Sequence, residues 1–237
     1  MTAGGPSRAE RVIEAALNRA AGGPPIPGNR VRLLVDGPET YALMLDLIAT
    51  AERWIHLENY IIRDDRTGWR FAEALAARAR ADIPVRVMYD WLGSIGTGRK
   101  YWRFLREAGV EVRRFNPPRL LRIFANLTRN HRKLLVADGG RAVIGGQCIG
   151  DEWAGDPARG IPQWRDTAVE IAGPAAGALD AAFAVTWALT GAPLVGDEVN
   201  GGRLDRCLVG TDAILPGSRC HRCGHQTSFQ LEFSCRC

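Results

Sequence analysis

The sequence predicts an α/β protein, a layered mixed β-sheet flanked by helices. Three observations lead there. From residue 31 to residue 189, short Val-, Ile- and Leu-rich runs alternate with longer amphipathic segments, the pattern of strands separated by helices. Two of those runs are joined by Asp138-Gly139 with no helix between them, so part of the sheet is antiparallel. The 237 residues are 46% apolar and 24% charged, a globular balance that excludes disordered and fibrous architectures and supports a real core.

The elements follow in order. Residues 7–21 form a helix with Val12, Ile13, Ala16 and Leu17 on one face. Val31 to Val35 is a short apolar strand, residues 39–51 a helix, and Trp54 to Ile62 a strand. An Ala-rich helix over 68–81 leads to a strand at Val85–Tyr89, which Pro84 introduces. Residues 100–108 form a helix stopped by Gly109, and Val110 to Phe115 the next strand. A basic loop precedes a hairpin of Lys133–Val136 with Arg141–Ile144. Thr167 to Ile171 is the last strand. The closing helix, Ala175 to Leu189, is a core helix, because Asp180 interrupts its apolar surface.

Three regions are expected: an N-terminal helix and linker over 1–29, the α/β domain over 30–205, and an atypical tail over 206–237. Five of the six cysteines (Cys207, Cys220, Cys223, Cys235, Cys237) lie in that tail, whereas the domain holds only Cys148. Cys220-x-x-Cys223 and Cys235-x-Cys237, with His221 and His225, offer ligands for tetrahedral zinc. The Cys-x-Cys spacing is unusual for such a site, and a disordered or frameshifted tail from GC-rich coding is the favoured reading. No run of 18 residues lacks charges and breakers, and the first residues lack a basic-then-apolar leader, so a cytoplasmic chain is expected.

The formal charge is +5, and 29 of the 31 basic residues are arginine. The two lysines, Lys100 and Lys133, are therefore informative. His131 and Lys133 are two apart, so on a strand they project together, with Leu134 and Val136 on the opposite face. Asp138 ends the strand at a turn, from which it is expected to bend back toward a site. An imidazole beside an ammonium is a poor structural pair but a good anion site. A neutral histidine can attack phosphorus, and a lysine can stabilise the phosphoryl oxygens. The plainer reading is an exposed His, an exposed Lys and a turn-forming Asp. Given this composition, the H-x-K-x4-D spacing arises by chance about 0.002 times. His56, in an apolar strand, reads as structural, hydrogen-bonded near the sheet edge. Glu152 and Asp166 are candidate contacts to a head group or a site arginine. In Arg119–Arg129, Leu120, Ile123, Phe124 and Leu127 share a helical face flanked by arginines. That pattern fits an interfacial helix or a loop folded over the core.

At Asn130–Asp138 the chain resembles the phospholipase D superfamily, whose signature is this H-x-K-x4-D motif. Ile55–Ile61, Tyr89–Ser94, Phe115–Pro118, Ile149–Trp153 and Trp164–Thr167 resemble its cardiolipin synthase branch, over about residues 30 to 190. The resemblance implies a phospholipase D-like half. It implies His131 as nucleophile or acid–base partner, Lys133 as phosphate ligand, and Asp138 as an organising polar residue, with no metal and no organic cofactor. Two departures are visible. Cys148 stands where the family places an Asn after the Gly145-Gly146 pair, and a thiol donates more weakly than an amide. The family also uses two such motifs meeting at one site, and this chain has one. The implied function is phosphatidyl transfer on anionic phospholipid at a peripheral membrane surface, on the inner face. A homodimer, or a missing second catalytic half, would complete the site. A single-motif nuclease working as a homodimer and a non-catalytic fragment with a metal-binding tail are the alternatives; nucleic acid is the less expected partner.

Overall fold

A computed structural model of the chain describes residues 7–21, 23–118 and 129–199. The expectations for the tail and for almost all of Arg119–Arg129 lie outside the described residues. Contacts group the chain into two units, residues 28–203 and residues 1–27 with 204–237. In the smaller unit, α1 spans Arg8–Ala21. It starts where it does because Ser7 and Glu10 cap each other: the Glu10 amide donates to Ser7 Oγ and the Ser7 amide to Glu10 Oε2.

The larger unit carries β1 (Arg30–Val35), α2 (Asp36–Thr50), β2 (Ile55–Asn59), α3 (Arg66–Arg80), β3 (Val85–Asp90), α4 (Arg99–Glu107) and β4 (Glu111–Phe115). After the undescribed stretch come β5 (Leu134–Ala137), β6 (Arg141–Gly145), α5 (Asp151–Ala154), β7 (Thr167–Ala172) and α6 (Pro174–Ala188). The expected elements are all present, with ends displaced by a residue or a few. The strand expected over 54–62 is the shorter β2, whose ladder stops at Asn59.

The seven strands form one sheet in the order β1-β7-β6-β5-β2-β3-β4. β2, β3 and β4 are parallel, as their helical crossovers require, whereas β5, β6, β7 and β1 run antiparallel. β2 is thus the seam between the two arrangements. β1 is an edge strand in which Arg30 and Arg32 alternate with exposed Val31, Leu33 and Val35.

The strand period of two sends side chains into two cores. Leu34, Leu57, Val87, Leu135 and Val143 pack with α2, α3 and α4 residues such as Ile48, Phe71, Leu75 and Leu105. Met88, Leu134, Val136 and Ala142 pack on the other face against Ala176, Phe183 and Trp187 of α6. A strand buried on both faces carries few exposed positions, and all five β2 residues are buried. At its carboxyl edge, β2 ends and β5 begins side by side. Crevices at that edge are where open α/β sheets place ligands.

Candidate active site

The motif segment enters the sheet at this seam, and period two decides what each of its residues does. The even-numbered residues are anchored on the α6 face. Asn130 donates its amide N–H to Asp90 Oδ2 at 3.0 Å and its side chain to Glu58. Arg132 donates to Glu58 Oε2 at 2.9 Å, to the Ala182 carbonyl at 3.1 Å and to Thr186 Oγ1 at 3.2 Å. Burial pushes the Glu58 carboxyl pKa up, opposed by Arg132 and Asn130.

The odd-numbered residues, His131 and Lys133, are brought together. Lys133 Nζ lies 3.1 Å from His131 Nδ1 and donates to the His131 carbonyl at 2.7 Å. The imidazole is exposed, but Lys133 is only 7% exposed. Among the described residues no carboxylate forms an ion pair with it. Burial lowers its pKa, and Cys148 and then Asp166 partly offset this. Burial and the neighbouring ammonium likewise hold the His131 pKa below its usual value. The Tyr60 ring closes one side, 4.5 Å from the imidazole centroid, with Lys133 Nζ 5.1 Å from its own centroid.

One further residue, Asn59, is not visible as a site residue in the sequence. The register that pairs Glu58 with Leu134 sets Asn59 opposite Lys133 across the β2–β5 seam. Asn59 is buried, yet among the described residues neither its amide nitrogen nor its oxygen has a hydrogen-bond partner. The same holds for buried Gln147, just after β6. Leaving such groups unmade costs about 1–3 kcal/mol each, so they need an explanation. Only cross-strand register, which depends on long-range pairing, brings Asn59 into view. Next to Gln147, buried Cys148 holds Tyr41, whose hydroxyl donates to the Cys148 carbonyl. Burial raises the Cys148 thiol pKa, so the residue contributes a neutral thiol.

Asp138 requires a correction. It does not bend back to His131 and Lys133. It lies at the far end of β5, about 16 Å from Lys133 at strand rise, in the left-handed region at φ 57°. Its carboxylate accepts from the amides of Arg53 (2.7 Å), Trp54 (3.1 Å) and Glu52 (3.1 Å). Three free N–H groups ahead of β2 are a stronger attraction than a distant site, and the contact locks β5 against β2. His56 is also placed differently from expectation. It is structural, but lies in the sheet interior rather than near an edge, with Nδ1 2.6 Å from Asp180 Oδ1 and Nε2 3.2 Å from Glu198 Oε2.

Glu152 pairs with Arg63 at 3.1 Å and is not brought against His131 or Lys133. Asp166 packs its carboxylate on Gly146, where a Cβ would overlap it, and accepts from the Thr167 amide at 2.7 Å. It acts on Lys133 through space. Among the described residues no cluster of three His, Cys, Asp or Glu side chains is arranged to hold a metal ion, and no helix is long and apolar enough to cross a membrane.

No family model matches the chain. It is similar to a cardiolipin synthase of Halalkalibacterium halodurans, 39% identical over 183 residues, which cover 76% of this chain and 36% of that protein. The major cardiolipin synthase of Bacillus subtilis is 38% identical over 161 residues, 67% of this chain and 33% of that protein. Cardiolipin synthase A of Pseudomonas aeruginosa is 37% identical over 173 residues, 73% and 35% respectively. The chain thus spans about a third of the length of these curated relatives. Among solved structures, the phospholipase D family member Nuc from Salmonella typhimurium superposes with a TM-score of 0.53 at 16% identity, over 69% of this chain and 97% of that one. NucT from Helicobacter pylori gives 0.50 at 12% identity, over 66% and 94%. At these identities the structural likeness establishes the fold.

Proposed function

We propose that this chain, which belongs to the phospholipase D superfamily in its cardiolipin synthase-like branch, transfers a phosphatidyl group between alcohols through a phosphohistidine on His131. One observation carries the reading: an exposed imidazole touching a buried ammonium that has no ion-pair partner among the described residues. Such a pair is incomplete until an anion joins it.

The resting contact suggests how the chemistry starts. With Lys133 donating to Nδ1, the neutral imidazole keeps its proton on Nε2. A phosphodiester competes for the ammonium, which is better satisfied by phosphoryl oxygens. Nδ1 can then carry the proton and Nε2 presents its lone pair. The Nε2–phosphorus bond forms, the bond from phosphorus to the leaving alcohol oxygen breaks, and that oxygen takes a proton from a general acid. In the second half, the acceptor alcohol gives its proton to the same group acting as base, bonds to phosphorus and releases His131. Lys133 stabilises the growing charge throughout. Asn59 and Gln147 supply amide donors to the bound group, a role that Cys148 fills poorly. Asp138 is proposed as the anchor that fixes the strand register rather than as a group touching phosphate. Glu152 and Asp166 shape the polar surround.

Among the described residues no second histidine joins His131, because His56 belongs to the opposite face. A second H-x-K motif therefore completes the site, from the remainder of a longer protein or from a second copy. The expected setting is the inner face of a membrane, with the chain held peripherally. One observation favours a second reading, a phosphodiesterase that works as a homodimer: a fold unit of this size accounts for 97% of the Nuc chain. Purified protein incubated with labelled phosphatidylglycerol, followed by lipid chromatography and trapping of an acid-labile phosphohistidine, tests the first reading. Cleavage of a DNA phosphodiester by a soluble dimer, with no lipid product, would replace it by the second.

A further inference from the structure

Beside the reaction site, α4 turns an arginine face toward β4. Arg99, Arg103 and Arg106 recur at helical spacing (i, i+4, i+7), and Arg114 of β4 completes the group. Together with Tyr89 and Trp102 they line an open cleft of about 450 Å³. The floor is rigid: the Tyr89 and Trp102 rings stack at 3.8 Å with 9° between their planes, and both are nearly buried. All four arginines are exposed, and among the described residues none forms an ion pair with a carboxylate. Elsewhere in the same unit the arginines lining polar clusters are paired, as Arg132 is with Glu58 and Arg141 with Glu170. Four like charges around one concavity repel one another, so an anion is what brings them to rest.

A second feature adjoins the cleft. Tyr89 belongs to the carboxyl end of β3, on the edge of the sheet that also holds His131 and Lys133. The turn leaving that edge and entering α4 carries two exposed apolar side chains, Leu92 at 44% and Ile95 at 63%. Guanidinium groups beside solvent-facing aliphatic side chains match an anionic bilayer surface, where head-group phosphate and acyl boundary lie at neighbouring depths. A nucleic acid would use the charges and leave the aliphatic pair idle.

We propose that the Tyr89–Trp102–arginine cleft is a docking site for the phosphate head group of a non-reacting anionic phospholipid, separate from the His131–Lys133 centre, and that Leu92 and Ile95 enter the bilayer beside it. The guanidinium forks take the phosphate oxygens and the aromatic stack seats the glycerol portion. Docking there turns the carboxyl edge of the sheet, and with it His131, toward the membrane. The inference rests on the lipid reading above for its choice of partner.

The test uses the full chain and vesicles of phosphatidylcholine with and without 30 mol% phosphatidylglycerol, a fraction of roughly physiological order. Binding is followed by co-sedimentation. It is repeated with the His131→Ala chain, so that docking is read without turnover and a failed transferase assay leaves this result intact. Binding is expected only to the anionic vesicles and to weaken with salt. It should fall about 5-fold for each of Arg103→Gln and Arg106→Gln, and again for Leu92→Ser with Ile95→Ser. Lys100→Gln removes the same charge from the same helix outside the cleft and should change little. These are exposed positions, so circular dichroism should report an unchanged fold. Equal losses for Lys100→Gln and Arg103→Gln would overturn the cleft. Binding of inorganic phosphate as tight as binding of vesicles, indifferent to Leu92 and Ile95, would make it a free-anion site and overturn the membrane assignment. Arginine-dependent binding of a short DNA duplex in preference to vesicles would do the same.

Discussion

The two sides of β2 treat buried charges in opposite ways. On the α6 side, each buried charge has a partner. His56 is held between Asp180 and Glu198, Trp54 donates its indole N–H to Asp180 at 3.1 Å, and Glu58 accepts from Asn130 and Arg132. Burial pulls the His56 pKa down, but the two carboxylates outweigh it and leave it raised. On the other side, one residue further along the same strand, the Asn59 side chain finds no hydrogen-bond partner among the described residues, and Lys133 no carboxylate ion pair. The difference separates structure from function. A network closed on itself has nothing left to bind with, whereas an unmatched buried amide beside an ammonium held by neutral acceptors alone favours the arrival of an anion.

The comparison can be broken by experiment. The largest expected effect is on chemistry: His131→Ala should lower turnover about 10⁴-fold with the fold intact, since the imidazole is exposed. Retained phosphodiester turnover would remove His131 from the mechanism. On the α6 side the large effect falls on stability instead. Asp180→Asn leaves His56 short of a buried partner and should cost about 3–5 kcal/mol, read by denaturant unfolding. Because the His56 pKa is raised in the folded state, its stabilisation is fully present below the unfolded value near 6.5 and is lost as pH rises through the folded value. The wild type should therefore lose more melting temperature between pH 6 and pH 8 than the variant. Equal losses would mean that the carboxylate does not hold the imidazolium.

Lys133→Arg keeps the charge but replaces a compact ammonium by a planar fork. Turnover should fall about 10²-fold with little change in melting temperature, and wild-type kinetics would show that Lys133 never meets phosphate. The smallest effect sharpens the contrast most. Asn59→Leu removes an unsatisfied buried amide, so it should leave stability unchanged or raise it by about 1 kcal/mol while lowering turnover several-fold. A loss of 2 kcal/mol or more would reveal a structural hydrogen bond at Asn59 and dissolve the distinction between the two sides.

Much of this arrangement was legible in the chain. Strand and helix periods placed the elements, and the i, i+2 relation correctly paired His131 with Lys133 and set Leu134 and Val136 on the other side. These are local signals, carried by neighbours along one strand. What stayed hidden depends on contacts between distant segments. Asp138 was expected at the site because its spacing belongs to the motif, but its carboxylate found the amides of residues 52–54. Asn59 became a candidate only when the β2–β5 register put it opposite Lys133. His56 looked like an edge residue because apolar flanks do not reveal where a strand stands in the sheet order. The arginines of α4 carry no signal of a shared cleft along the chain, because Arg114, which encloses them, comes from the neighbouring strand.

The edge strand β1 has a consequence for handling the protein in solution. Among the described residues it has a single strand neighbour, β7, and Val31 and Leu33 are 63% and 62% exposed on it. An open row of backbone donors and acceptors flanked by aliphatic side chains is a template for strand-to-strand association between molecules. Arg30 opposes this by charge repulsion, which salt screens, whereas Arg32 is paired with Glu39 at 3.2 Å. Colloidal behaviour is thus coupled to ionic strength: the protein should stay dispersed in dilute buffer and self-associate as salt is added. Salt would thereby promote aggregation in the same range in which it loosens electrostatic attachment to anionic surfaces.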